Sequence, residues 1–133
     1  MKNIGLIVLI GLCRCFSSCG FVTNEEVFGK YHLIAVDIPE DLCLGYEVSN
    51  EDYICIVPSK ILAYSKNEKY IFLKQTPYLN KDTLDINYYI VPILEDRIVI
   101  FPEDHIMGPL KEQNFNEEIS KMNIGNLKFN SLD

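Results

Sequence analysis

From Lys30 to Phe101 the apolar runs stop, one after another, at the length of a β-strand. Lys30 to Val36 (KYHLIAV), Leu42 to Val48 (LCLGYEV), Tyr53 to Val57 (YICIV) and Ile61 to Ser65 (ILAYS) are rich in aromatic and branched residues. So are Tyr70 to Lys74 (YIFLK), Ile86 to Leu94 (INYYIVPIL) and Arg97 to Phe101 (RIVIF). Within them side chains alternate. Tyr31, Leu33 and Ala35 share one face against His32, Ile34 and Val36, and Leu42, Leu44, Tyr46 and Val48 oppose Cys43, Gly45 and Glu47. The breaks are turn chemistry: Asp37-Ile38-Pro39-Glu40-Asp41, Ser49-Asn50-Glu51-Asp52, Pro58, and the hairpin signal Lys66-Asn67-Glu68-Lys69. Pro92 lacks a ladder donor and points to an edge or a bulge.

Only after Gly108-Pro109 does the period change. In Glu112 to Met122 (EQNFNEEISKM), Phe115, Ile119 and Met122 fall at i, i+4 and i+7, one apolar stripe on a helix of about three turns. The stripe is expected to lie on the sheet with Glu117, Glu118 and Lys121 outward. Gly125 is the expected stop, and Leu127 to Phe129 a short closing strand. Strands joined by tight turns and followed by one helix predict an α+β, mostly β fold: an antiparallel sheet of about five to seven strands, with the C-terminal helix packed on a face.

Ahead of this pattern, Met1-Lys2-Asn3 gives a short positive start and Ile4 to Leu12 (IGLIVLIGL) is apolar throughout apart from two glycines. That is the order and length of a secretory n-region and h-region. Nine helical residues rise about 14 Å, half of a bilayer's hydrocarbon, so the run does not span a membrane alone. Small residues Ser17 and Ser18 then precede Cys19, with Gly20 after it. Phe16-Ser17-Ser18-Cys19-Gly20 resembles the lipobox of bacterial lipoproteins, whose cysteine is acylated and becomes the new N-terminus. Phe16 stands where leucine is usual, and Cys13 is the weaker candidate because bulky Leu12 precedes it. The expected organisation is a signal peptide over 1–18, lipidated Cys19 with a tether to residue 29, and a single β-rich domain over 30–133. Several acyl chains on one cysteine anchor stably, at about 0.8 kcal/mol per buried CH₂.

Removing residues 1–18 leaves 115 of 133 and takes away Lys2 and Arg14, so ten basic side chains face nineteen acidic ones, a formal charge of −9. Such a surface is wrong for nucleic acid, which needs clustered Lys and Arg. Two cysteines then remain beyond Cys19. Cys43 and Cys55 are twelve residues apart, and an extracytoplasmic location permits a disulfide between them. Both also sit in apolar strand patterns, and free cysteine is among the most buried residue types, which favours two buried thiols.

No glycine-rich phosphate loop, nucleophile elbow or paired metal-ligand motif appears, so no cofactor, metal or catalytic residue is assigned. His32 within a strand reads as a packed or surface imidazole. Glu103-Asp104-His105 is the one compact polar cluster and reads as a solvated turn. The pairs Glu40/Asp41, Glu51/Asp52 and Glu95/Asp96 fall at turns, whereas acid–base catalysis needs carboxylates converging in an apolar pocket. Eight tyrosines without a tryptophan could stock a recognition surface. In Tyr88-Tyr89, neighbours on a strand face opposite ways, so one of them is expected at the surface.

Asp37-Ile38-Pro39-Glu40, Leu44-Gly45-Tyr46, Asn67-Glu68-Lys69-Tyr70, Lys74-Gln75, Tyr88-Tyr89-Ile90-Val91 and Gly108-Pro109-Leu110 with Phe115 occur in an order similar to that of a family of small, functionally uncharacterised bacterial lipoproteins, over roughly residues 28–124. The resemblance implies a lipid-anchored envelope protein and transfers no functional residue. The expected function is non-enzymatic: a protein held outside the cytoplasm on a bacterial membrane by its lipid, binding a protein or other envelope component. The alternative is a small extracytoplasmic enzyme or inhibitor with a site built from scattered loop residues.

Overall fold

The computed structural model describes residues 20–77, 85–94 and 101–132. Its strands form two antiparallel sheets. The first is a meander of β1 (Thr23–Phe28), β2 (Tyr31–Ala35), β3 (Cys43–Ser49) and β4 (Asp52–Val57), in that spatial order. The second contains β5 (Ile61–Lys66), β6 (Tyr70–Gln75), β7 (Asn87–Pro92), β8 (Met107–Leu110) and β9 (Asn130–Ser131), in the order β8-β7-β6-β5-β9. Helix α1 (Glu112–Lys121) packs on the second sheet. The expected antiparallel, mostly β fold with one C-terminal helix is therefore present, with its strands divided between two sheets. The expected strand at 97–101 lies outside the described residues apart from Phe101, which precedes a short 3₁₀ turn (Pro102–His105).

Alternation explains the layering. Inward residues of β2 and β3 (Tyr31, Leu33, Leu44 and Tyr46) meet Ile61, Ile71, Leu73, Tyr89 and Val91 in one core between the sheets. The intervening residues of β6 and β7 (Phe72, Tyr88 and Ile90) point the other way and meet Phe115 in a second core beneath α1. Ile71, Phe72 and Leu73 are consequently all fully buried. Tyr88 and Tyr89 are both buried too, against the expectation that one would be exposed: a strand with covers on both faces has no surface side. Tyr88 stacks on Phe115 with ring centroids 4.6 Å apart.

Polar groups stitch the layers. The Tyr31 hydroxyl donates to the Pro92 carbonyl (3.0 Å) and accepts from the Leu94 N–H (3.2 Å). Lys66 Nζ reaches from β5 to the Val27 carbonyl at 2.6 Å, and the Ile61 N–H donates to the Leu42 carbonyl at 2.8 Å. The Lys66–Lys69 hairpin forms as expected, because the Asn67 side chain accepts from the N–H groups of Lys69 and Tyr70, each at 2.8 Å. Pro92 pairs with Tyr70 beyond the reach of β8, whose ladder ends at Ile90↔Met107. Its missing donor disrupts nothing there.

Three local readings are corrected. Residues 23–28, expected within the tether, form edge strand β1, whose TNEEVF sequence carries too few apolar residues to announce a strand but pairs with β2 from Thr23↔Ala35 onward. The helix stops at Asn123, not Gly125. Asn123 takes φ 54°, its N–H donates to the Ser120 carbonyl, and the Ile124 N–H donates to that of Ile119, the paired bonds of a Schellman cap. Asparagine tolerates the left-handed region, so it serves where glycine is usual. The closing strand is Asn130–Ser131 on β5, leaving Leu127 and Phe129 packed against the second core.

Phe115→Ala is expected to cost about 3–5 kcal/mol in urea unfolding, since it empties the centre of the second core. Asn116→Ala, on the exposed side of α1, should stay within roughly ±0.5 kcal/mol. Gly108 lies inside β8 at φ 148°, where an added Cβ would sit 2.9 Å from the Tyr88 carbonyl oxygen. Gly108→Ala should therefore destabilise by about 1–3 kcal/mol through β8, although it removes no contact.

Candidate functional site

Residues that alternate away from the sandwich core make the outer face of the first sheet. His32 and Ile34 on β2 stand beside Cys43, Gly45 and Glu47 on β3 and Tyr53 and Cys55 on β4. Their packing is close: a Cβ on Gly45 would fall 2.7 Å from Ile34 Cδ1, which is why the Leu44-Gly45-Tyr46 step has no side chain in its middle. The His32 ring is held on both nitrogens. Nε2 donates to the Gly29 carbonyl at 3.1 Å, and Nδ1 pairs with the Asn24 side-chain amide at 2.7 Å. Glu47 lies 4.0 Å from Nε2 and accepts from the Tyr53 hydroxyl at 3.4 Å. An imidazole so occupied is a structural bridge between β1, β2 and β3, the packed role expected of it.

Cys43 and Cys55 form a disulfide across β3 and β4, with Cα atoms 5.9 Å apart. This overturns the preference for two buried thiols. Cys43 is buried but Cys55 is exposed on an edge strand, so the apolar pattern around it marks strand propensity rather than burial. Gly45 pairs directly with Cys55, and the register shift between Leu44 and Gly45 brings Cys43 within bridging distance.

Phe21 closes this face from above. Its ring meets Tyr53 edge-on, with centroids 5.4 Å apart, and Tyr53 in turn packs on His32 at 4.8 Å. Gly20 is exposed, and Cys19, the expected lipidation site, lies outside the described residues.

The remaining candidates are scattered. Glu103, Asp104 and His105 occupy the 3₁₀ turn and are all exposed. Glu51 and Asp52 close the β3–β4 hairpin, where Ser49 Oγ donates to Asp52 at 2.7 Å, while Glu95 and Asp96 lie outside the described residues. Glu40 and Asp41 border a cleft of about 290 Å³ with Ile38, Ser59, Lys60 and Thr76. A second groove, about 510 Å³, runs between α1 and the C-terminal segment over Tyr88, Phe115 and Phe129, where Lys74 Nζ sits 4.5 Å from the Phe129 ring centre. Burial raises the pKa of Tyr31, Tyr88 and Tyr89, which keeps these hydroxyls neutral. Among the described residues no three of His, Cys, Asp and Glu converge as metal ligands, and no helix is long and apolar enough to cross a membrane.

One polar chain escapes a reading by residue type. Gln75 and Asn87 are buried, with Gln75 donating to the Ser59 carbonyl (3.0 Å), Asn87 to Gln75 (3.3 Å) and Lys111 to Asn87 (3.2 Å). Its signal was the alternation Ile71, Leu73, Gln75, which carries Gln75 inward. This chain fixes the wall of the smaller cleft through Ser59.

Comparison with curated proteins and with solved structures gives no match. A family model described as a protein of unknown function, DUF3997, matches residues 28–133, from the end of β1 through the C-terminal strand. The chain thus belongs to the DUF3997 family.

Proposed function

We propose that the chain is a lipid-anchored protein of the bacterial cell envelope, exported by residues 1–18, acylated on Cys19, and acting by binding a protein or other envelope component rather than by catalysis. The observation that carries this reading is the Cys43–Cys55 disulfide. Disulfides form and persist in oxidising compartments outside the cytoplasm. One with Cys55 exposed on an edge strand is open to attack by cytosolic thiols, so it suits a chain that leaves the cytoplasm. The apolar run and Ser17-Ser18-Cys19-Gly20 supply both the export signal and the acylation site. Binding is favoured over chemistry by the side chains on offer. Val48 and Ile54 stand exposed on β3 and β4, while the histidine of that sheet is committed to internal bonds.

The second reading, a small enzyme or inhibitor outside the cytoplasm, is favoured by the smaller cleft alone, where Lys60 shares a partly apolar floor with Glu40 and Asp41.

Cys19→Ala should abolish metabolic labelling with a palmitate analogue and leave residues 1–18 attached. Unchanged labelling, or labelling that moved to Cys13, would overturn the assignment. For the compartment, the full-length protein isolated from the cell envelope, with Cys19 blocked by its lipid, should take up no thiol reagent when unfolded without reductant, and two equivalents after reduction. Reduction should also lower stability by about 2–4 kcal/mol, the usual contribution of a bridge closing a short loop. Two reactive thiols in freshly isolated protein would count against the oxidising compartment.

A further inference from the structure

We propose that Val22, Val36 and Ile38 form a membrane-contact patch that seats the domain on the lipid surface beside its anchor, with the first sheet toward the bilayer and α1 away from it. The inference rests on the acylation of Cys19 proposed above. It starts from how soon the chain becomes folded. Phe21 is already packed on Tyr53, and the Val22 N–H donates to the Ala35 carbonyl at 2.9 Å, extending the β1–β2 ladder by one step. Val22 is three steps along the chain from Cys19, and an extended chain covers at most about 3.6 Å per residue. Val22 is therefore held within about 11 Å of the acylated residue. No tether remains to let the domain swing clear.

The surface at this corner carries three exposed aliphatic side chains. Val22, Val36 and Ile38 are 51 %, 58 % and 56 % exposed. Val22 and Val36 continue the Thr23↔Ala35 pair by one residue on each strand, and Ile38 follows two residues later. Singly exposed aliphatics are ordinary, but three together beside an anchor make a patch. A protein partner would have to enter a gap that the anchor itself keeps narrow, whereas the lipid surface is already there. Phe21 sets the orientation. It lies on the outer face of the first sheet, so the chain leaves the domain on that side. Both sheets and both cores intervene before α1, whose outer residues are polar. Asp37, Glu40 and Asp41 lie next to the patch, and among the described residues lining the adjoining cleft Lys60 alone is basic, so the contact is by apolar insertion and zwitterionic lipid suits it.

The chain contains no tryptophan, so a single introduced indole reports its own position. Full-length Val36→Trp, Ile38→Trp and Asn116→Trp proteins, extracted from membranes with their N-terminal lipid verified by mass spectrometry, would be reconstituted in phosphatidylcholine vesicles carrying nitroxide-labelled acyl chains. The indoles at positions 36 and 38 should lose roughly half their emission, because side chains at the headgroup–acyl boundary lie about 5–10 Å deep. The indole at position 116 should be unaffected. Equal quenching at all three positions, or none at 36 and 38 in verified lipidated protein, would overturn the orientation and leave the anchor standing. Absence of lipid on Cys19 would overturn the anchor and this proposal with it.

Discussion

Ile71, Phe72 and Leu73 are consecutive on β6, and each is fully buried. A strand with apolar side chains on both faces has to be covered twice, and the rest of the architecture meets that need. The first sheet closes over Ile71 and Leu73, α1 closes over Phe72, and β7 repeats the arrangement with Tyr88 and Ile90 outward and Tyr89 and Val91 inward. Each fully buried large apolar side chain contributes about 1.5–3 kcal/mol relative to exposure, so the central strands dominate the stability. The Tyr31 hydroxyl, bonded to Pro92 and Leu94, and the Lys66–Val27 contact then hold the sheets in one register.

The first sheet's chemistry gathers on its outer face, away from the core it shares with the second sheet. The disulfide, the His32 bridge and the close Ile34–Gly45 contact tie together the four neighbouring strands, and Phe21 packs on Tyr53 among them. The sheet is thus braced on its outer side by covalent, hydrogen-bonded and packing contacts. On the opposite side of the molecule lie α1 and the aromatic groove beneath it.

The smaller cleft shows how structure and chemistry separate in this molecule. Its wall is held by the buried amides of Gln75 and Asn87, tied to the exposed Lys111, a chain that serves position rather than reaction. The groups with titration displaced by burial, Tyr31, Tyr88 and Tyr89, all lie in the cores, where neutral hydroxyls pack and hydrogen-bond.

Local chemistry by itself determined the elements. Runs of aromatic and branched residues marked β2 to β7, alternation set the faces of β2 and β3, Lys66-Asn67-Glu68-Lys69 marked its hairpin, and Phe115, Ile119 and Met122 the apolar stripe of the helix, because backbone geometry imposes periods of two and 3.6 on any segment that buries one side. The apolar run from Ile4 to Leu12 and Ser17-Ser18-Cys19-Gly20 are likewise short, contiguous patterns, read without any tertiary partner. Tertiary structure alone decided which partner each face meets. Only the second cover made both Tyr88 and Tyr89 internal, and only pairing with β2 turned the polar TNEEVF into a strand. Only the β3–β4 register brought Cys43 to an exposed Cys55. Each of these turns on residues far apart in sequence or on the space left between layers. Neither is encoded in a local period; both are set by the energy of the whole packed arrangement.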